Sequence, residues 1–228
     1  MTPAPNTEFC LLESFRWSAQ SGFFLLHEHL HRLNTAAQHF GFPFDPCRIY
    51  TACQQQHQTL RRAAALTANS AIRKVRLLLH PSGSLTWTDE PLTPSSPSHH
   101  MRVTLAAQPI HSENRLLQYK TTQRDIYQQA QAQRPGFDDL LLYNQRGELT
   151  ESLTANLVIV RGGARLTPPT SSGLLPGTFR SHLLQHGILR ESLLYPQDLH
   201  TAEKIYLINS VRLWRVAQFF PANTAPGL

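Results

Sequence analysis

The chain has 228 residues, of which 41% are hydrophobic, and its 21 basic against 15 acidic side chains give a formal charge of +6. This length fits one large domain or two small ones, and the 16 prolines and 11 glycines are near the average share, which excludes a collagen-like repeat or a long disordered tract. The positive charge suggests nucleic acid or small anions as partners, but the arginines are scattered and form no basic tail, which argues against nucleic acid.

The first part of the chain predicts two hairpins with two helices between them. Apolar residues recur at three and four residue steps from Leu26 to Phe40, as in an amphipathic helix, and Gly41 ends that pattern. The Pro/Ser-rich stretch Pro91 to Ser98 predicts a surface loop. The predicted elements are strands 9–17 and 23–26, helices 26–40 and 54–72, and strands 75–79, 85–88 and 101–110.

The second part alternates strands and helices more regularly. A strand leading to Lys120, helix 121–133, strands 140–143, 156–161 and 164–167, helix 177–186, strand 188–194, a helical turn after Pro196 and strand 204–209 are predicted. We expect an N-terminal lobe over 1–107, a linker over 108–114 and a C-terminal lobe over 115–228. The alternation indicates an α/β or α+β fold with two lobes.

The sequence also bears on location and on cysteine chemistry. No apolar run approaches the roughly 18 residues of a membrane helix, and Met1 to Cys10 lacks the basic and apolar regions of a signal peptide. We therefore expect a cytoplasmic protein without membrane partners. The three cysteines are odd in number and lack CxxC spacing, which argues against a disulfide framework or a zinc knuckle.

The segment His27-Glu28-His29-Leu30-His31 matches the H-E-x-x-H pattern of zinc peptidases. On a helix, His27 and His31 would share a face and could bind zinc, with Glu28 as the base. A third ligand is missing at the usual spacing, because the next glutamate after Glu28 is Glu90. We therefore expect a histidine-rich helix without a metal.

Lysine is rare in this chain, where only Lys74, Lys120 and Lys204 accompany eighteen arginines. Lys120 lies at the predicted junction between a strand and the helix 121–133, where an amine can point into a cleft. A desolvated amine loses part of its preference for the charged form and can then form a Schiff base with a carbonyl. A surface lysine is the alternative interpretation.

Other polar residues supply complementary chemistry. Glu151 precedes a buried strand, Gly177 opens a helix whose first amides could bind an anion, and Ser210 follows another strand. Each residue alone could have a purely structural role. An amine, a carboxylate and a phosphate site together are what pyridoxal 5'-phosphate requires.

In this order the motifs resemble the class IV, fold-type IV pyridoxal-phosphate enzymes, which include branched-chain and D-amino-acid aminotransferases and 4-amino-4-deoxychorismate lyase. The resemblance runs from about Phe9 to Val216. It implies a two-lobed, D-amino-acid aminotransferase-like α/β fold, with the cofactor between the lobes, and a homodimer. Thr121-Thr122-Gln123-Arg124 with Tyr127 looks like the lyase branch more than the branched-chain one.

The resemblance also implies a role for each matching residue. Lys120 corresponds to the Schiff-base lysine, Glu151 to the partner of the pyridine nitrogen, and Asn156 to the asparagine of its strand. The remaining cofactor-binding positions are Arg32 and Ser210 for the phosphate, Thr178 and Phe179 through their backbone amides, and Leu175 against the ring.

The substrate class is less defined by the sequence. Ser14 stands where lyase members carry a hydroxyl residue and branched-chain aminotransferases a glycine, which favours the lyase, although a solvated strand hydroxyl is an equal alternative. The resemblance thus implies a lyase forming 4-aminobenzoate and pyruvate from an anionic substrate, with Lys120 and Ser14 as catalytic groups. An aminotransferase is the alternative, and a metal- or nucleic-acid-binding module is the remaining one.

Overall fold

The computed structural model describes residues 9–66, 71–93 and 100–221, which divide into two compact units. The first unit comprises 9–66, 71–93 and 120–123, and the second comprises 100–119 and 124–221. This division differs from the expected lobes, because residues 100–107 pack with the second unit and 120–123 with the first. Part of the predicted loop Pro91 to Ser98 lies outside the described residues.

The first unit is a four-stranded antiparallel sheet with two helices. Its elements are β1 (Leu11–Ser18), β2 (Gly22–Phe23), α1 (Leu26–Phe40), α2 (Pro46–Leu66), β3 (Arg73–Leu79) and β4 (Leu85–Pro91), with strand order β2-β1-β3-β4. Every second side chain of β1 is buried, so one face of this strand forms core. The two predicted hairpins and the predicted helix 26–40 are confirmed.

Helix α2 begins earlier than the predicted residue 54. Asp45 accepts hydrogen bonds at Oδ1 from the backbone amides of Cys47 (2.9 Å) and Arg48 (3.2 Å), as an N-terminal cap does. Pro46 takes the first helical position, where a missing N–H costs nothing. The cap and the proline therefore start the helix at Pro46, and its predicted end falls partly on residues 67–70, outside the described residues.

The second unit is built on an eight-stranded sheet. Its elements are β5 (Met101–Leu105), α3 (Asp125–Gln133), β6 (Asp139–Tyr143), β7 (Leu149–Ser152), β8 (Asn156–Arg161), β9 (Ala164–Thr167), α4 (Thr178–Gln185), β10 (Arg190–Glu191), α5 (Asp198–Thr201), β11 (Lys204–Asn209) and β12 (Leu213–Phe219). The order is β10-β9-β8-β11-β12-β5-β6-β7, and an additional pairing of β7 with β8 closes six strands into a ring. Buried apolar side chains, most of them from these strands, form one core cluster.

Several sequence-based boundaries of the second unit are wrong. Strands β7 and β12 were not predicted, and the predicted strand 188–194 is reduced to Arg190–Glu191. The residues before Lys120 form a short 3-10 helix, Arg115–Gln118, because the Asn114 side chain accepts from the Leu116 amide and starts a turn. Among the described residues, no helix is long and apolar enough to cross a membrane.

Candidate active site

Glu13, His29 and Arg32 form a buried hydrogen-bonded cluster in the first unit. Arg32 donates from Nε to Glu13 Oε1 (2.9 Å) and from Nη2 to Glu13 Oε2 (2.6 Å), a two-point contact that fixes the plane of the guanidinium. His29 Nδ1 lies 2.6 Å from Glu13 Oε2. Strand β1 supplies Glu13 from its buried face, and α1 supplies the other two residues one turn apart.

The electrostatics of this cluster define its protonation state. Burial raises the pKa of Glu13, but the Arg32 charge and the hydrogen bonds from Arg32 and His29 outweigh burial and hold that pKa at about 2. Burial lowers the pKa of His29, and the charges of Arg32 and Lys120 lower it further, although Glu13 opposes the shift. Glu13 is therefore an anion that can only accept, so neutral His29 donates from Nδ1.

Lys120 and Ser14 belong to the same unit as Arg32. The Lys120 carbonyl accepts from the Leu12 amide (2.9 Å), and the Thr122 amide donates to the Cys10 carbonyl (2.9 Å), so the segment 120–123 is anchored to the start of β1. These bonds require extended backbone, which is why α3 begins at Asp125 and not at the predicted Thr121. The Ser14 side chain is partly buried on the face of β1 opposite to Glu13.

Glu151 and Asn156 lie directly opposite each other where β7 pairs with β8 in the second unit. Both residues are buried, with exposed fractions of 4% and 5%. Glu151 accepts at Oε1 from the Tyr127 hydroxyl (2.9 Å) and at Oε2 from Asn156 Nδ2, over a longer 3.4 Å. The Asn156 amide also donates to the Leu175 carbonyl (2.9 Å), which links the glutamate hairpin to the segment before α4.

The segment that leads into α4 requires glycine at two positions. A Cβ on Gly177 would lie 2.0 Å from Asn156 Oδ1, and a Cβ on Gly173 would lie 2.5 Å from Ser112 Cα. Gly177 is also the N-terminal cap residue of α4, and no side chain caps the helix there. The amides of Thr178 and Phe179 follow directly, at the positive end of the helix dipole, where anions bind favourably.

Ser210 is buried in the turn that joins β11 to β12. Asn209 Oδ1 accepts from the amides of Val211 (3.1 Å) and Arg212 (2.7 Å), which fixes this turn. Leu213 then has a φ of 60°, a conformation that non-glycine residues rarely adopt. The Phe179 and Trp214 rings pack edge-to-face, with their centres 6.1 Å apart. The start of α4 therefore packs against the strand that follows Ser210.

The histidines of the H-E-x-x-H segment lie in different environments. His27 and His31 are exposed, while His29 between them is fully buried and bonded to Glu13. Within the described residues there is no group of three or more histidine, cysteine, aspartate or glutamate side chains that could hold a metal. On this helix, the histidine that contacts a carboxylate is therefore the buried His29.

Sequence reasoning missed Glu13 and His29, and it used Tyr127 only as a branch marker. A signal for Glu13 was present, because it takes a core position in the alternating pattern of β1 between Leu11 and Phe15. His29 similarly shares the buried face of α1 with Leu33 and Ala36. A charged or titratable residue at a core position is buried only with partners.

Comparison with known proteins gives matches over most of the chain. The amino-transferase class IV family matches residues 10–219. This chain belongs to that family. Its members are pyridoxal-phosphate enzymes, and the present chain is an enzyme of fold type IV.

Individual relatives differ in their described activities. A protein of Schizosaccharomyces pombe, provisionally described as an aminodeoxychorismate lyase, is 32% identical over 83% of this chain and 81% of its own length. A crystal structure of a provisionally assigned amino-acid aminotransferase from Mesorhizobium loti is 31% identical, with a TM-score of 0.83 over 93% of this class IV chain and 100% of its own. The 4-amino-4-deoxychorismate lyase of Pseudomonas aeruginosa shares the fold, with 19% identity and a TM-score of 0.73 over 93% of this chain and 83% of its own.

Proposed function

We propose that this chain is a pyridoxal-phosphate-dependent 4-amino-4-deoxychorismate lyase that forms 4-aminobenzoate and pyruvate. The observation that carries the proposal is the 32% identity to the S. pombe protein over about four fifths of both chains. A homodimer in the cytoplasm, and a product used as a folate precursor, belong to the same proposal.

The residues of the second unit fit the proposed cofactor. Glu151 offers a buried carboxylate to a ring nitrogen, with a phenol and an amide as donors to its oxygens. A phosphate requires hydrogen-bond donors. The backbone amides at the start of α4, directly after Gly177, and the Ser210 hydroxyl are such donors. Gly177 leaves no room for a side chain, because the Asn156 amide fills that space, and the absence of a Cβ keeps Asn156 within reach of Glu151.

In the first unit, we assign Lys120 to hold the cofactor and Arg32 to bind its phosphate. Arg32 donates from Nε and Nη2 to Glu13. This contact holds the guanidinium in a fixed orientation, which would reduce the entropy lost when the phosphate binds. When bound, pyridoxal phosphate supplies an electron sink for bond breaking at the carbon that carries the substrate amine. Lys120 Nζ would take the proton from that carbon as a general base.

The remaining steps divide among the other residues. Glu151 would hold the proton on the ring nitrogen, Asn156 would position the Glu151 carboxylate, and Leu175 would pack against the cofactor ring. Lys120 or the Ser14 hydroxyl would give a proton to the departing enolpyruvyl group. Aromatisation of the substrate ring would drive the elimination. The net positive charge of the chain would attract the dicarboxylate substrate.

The test is to incubate the protein with 4-amino-4-deoxychorismate and measure 4-aminobenzoate. We expect product from the native protein and from Lys204→Ala, which changes an exposed lysine at the start of β11. Lys120→Ala should form no product and should lose the visible absorbance of the bound cofactor. Product formation at the native rate by Lys120→Ala would refute the role of this lysine.

An aminotransferase is the second candidate, favoured by the M. loti structure, which is covered over its whole length at 31% identity. The two reactions would use the same cofactor residues. Efficient amine transfer from an amino acid to a keto acid, without 4-aminobenzoate from aminodeoxychorismate, would overturn the lyase and establish this alternative.

A further inference from the structure

Tyr127 is the third residue of α3, and its hydroxyl reaches the buried Glu151 carboxylate at 2.9 Å. Its ring is partly buried and packs against a second apolar cluster of this unit. That cluster contains Ala106, Ile110, Leu117, Leu140, Leu142 and Leu153. Packing against this cluster therefore fixes the ring, and the fixed ring places the hydroxyl beside Glu151.

The direction of the Tyr127–Glu151 hydrogen bond follows from electrostatics. Burial raises the pKa of Tyr127 well above 10, and the negative charge of Glu151 raises it further, against a smaller opposite effect from Arg124. The phenol therefore keeps its proton at neutral pH and donates a hydrogen bond to Glu151. A donor on a buried carboxylate stabilises the ionised form, which burial alone disfavours.

Arg124 also contacts the Tyr127 ring. Its guanidinium carbon lies 4.3 Å from the centre of the Tyr127 ring, within the range of a cation–π contact. The same guanidinium donates from Nη2 to the Leu153 carbonyl, in the turn between β7 and β8. Arg124 thus connects the Tyr127 ring to the turn that directly follows the strand of Glu151.

We propose that Tyr127, supported by Arg124, is a positioning residue that keeps Glu151 ionised and aimed at the cofactor's ring nitrogen. The proposal rests on the assignment of Glu151 to that nitrogen under the proposed function. Glu151 must stay an anion to retain a proton on the nitrogen, because a neutral glutamic acid would no longer supply the negative charge that favours the protonated ring. Tyr127 acts through Glu151 and needs no contact with the substrate.

The first experiment measures cofactor binding, which does not depend on the reaction catalysed. Tyr127→Phe keeps the ring and removes only the hydroxyl. We expect its affinity for pyridoxal phosphate to fall about tenfold, the effect of one hydrogen bond to a charged group. Affinity for the analogue with carbon in place of the ring nitrogen should be unchanged. An equal loss for both ligands would overturn the proposal, because packing would then explain it.

The second experiment measures turnover in a double-mutant cycle. Tyr127→Phe should lower kcat about tenfold with little change in KM, and it should cause no further loss in a Glu151→Gln background. Independent, additive losses would refute action through Glu151. Tyr195→Phe, which removes another partly buried phenol of this unit, should match the native protein in both experiments.

Failure of the proposed function is distinguishable from failure of this inference. If no 4-aminobenzoate forms but Tyr127→Phe still binds pyridoxal phosphate more weakly than the native protein and binds the carbon analogue equally well, the lyase assignment fails and the positioning role stands. If Glu151→Gln binds pyridoxal phosphate and the analogue with native affinities, the role of Glu151 and the inference fail together.

Discussion

Each unit contains a buried glutamate, and the two are held in different ways. Glu13 in the first unit contacts the Arg32 cation at two points and His29 at a third. Glu151 in the second unit accepts from a phenol and a carboxamide, which stabilise a negative charge without cancelling it. The contrast shows that Glu13 holds a cation of the protein itself, whereas the phenol and the carboxamide that donate to Glu151 carry no charge, which agrees with the role proposed for Glu151 beside a protonated ring.

The largest expected effect tests Glu151. Replacing Glu151 by alanine should weaken the cofactor but leave it bound at saturating pyridoxal phosphate, and it should slow turnover about a thousandfold, about 4 kcal/mol in the barrier, because the ring nitrogen would lose its proposed partner. Steady-state kinetics and cofactor absorbance measure the two properties separately. Glu203→Ala, at an exposed glutamate of the same unit, is the control. Native turnover in the Glu151 variant would contradict the role proposed for Glu151.

The next effect tests Glu13 through stability. Glu13→Gln should lower the free energy of unfolding by about 3 kcal/mol, because it breaks a buried ion pair and leaves the arginine charge uncompensated. Denaturant unfolding measures this loss. Glu90→Gln breaks the exposed pair with Lys74 in the same sheet and should cost less than about 1 kcal/mol. Equal losses would contradict the special position of Glu13.

A smaller effect concerns the glycine beside Asn156. Gly177→Ala forces its Cβ against Asn156 Oδ1, so the amide that contacts Glu151 must move. We expect pyridoxal phosphate affinity to fall about thirtyfold, about 2 kcal/mol. Gly162→Ala, where nothing lies within 4 Å of the new Cβ, should leave that affinity unchanged. If an absorbance titration gave native affinity for Gly177→Ala, the Asn156 amide could move without weakening cofactor binding, which would contradict this prediction.

The smallest effect is a pH dependence in the first unit. The folded state lowers the pKa of His29 below its usual 6.5, so the unfolded state binds the proton more readily. Stability is therefore full above pH 6.5 and falls below it, by at most about 1.4 kcal/mol per pH unit. His29→Asn cannot titrate and should show a shallower decline between pH 7 and pH 5 in denaturant unfolding. Identical declines would contradict a neutral His29.

The sequence predicted several elements to the residue, and the reason is visible in their flanks. Helix α1 ends at Phe40, just before Gly41, whose φ of 71° suits glycine, and β8 and β9 are separated by Gly162-Gly163. Strand β11 is a compact apolar run. In each case a local signal coincides with the tertiary boundary, so pattern and structure agree.

The errors occur where tertiary contacts override local preference. Residues 121–123 carry no strong helix breaker, but pairing with the start of β1 keeps them extended and delays α3. Strand β7 is short and rich in polar residues, and its burial comes from partners that no local pattern reveals. The roles proposed for Lys120, Glu151 and Ser210 come from the resemblance, whereas Glu13, His29 and Tyr127 needed the structure.

The ring of the second unit closes where β12 pairs in parallel with β5, through Ala217↔Met101 and the next two residues. These strands lie far apart along the chain, so a nascent polypeptide can form the hairpins between them but cannot seal the ring until 213–219 have left the ribosome. Truncation before β12 would expose an unpaired edge of both β5 and β11, a template for aggregation. Assembly of the second unit is therefore completed only after translation of its final strand.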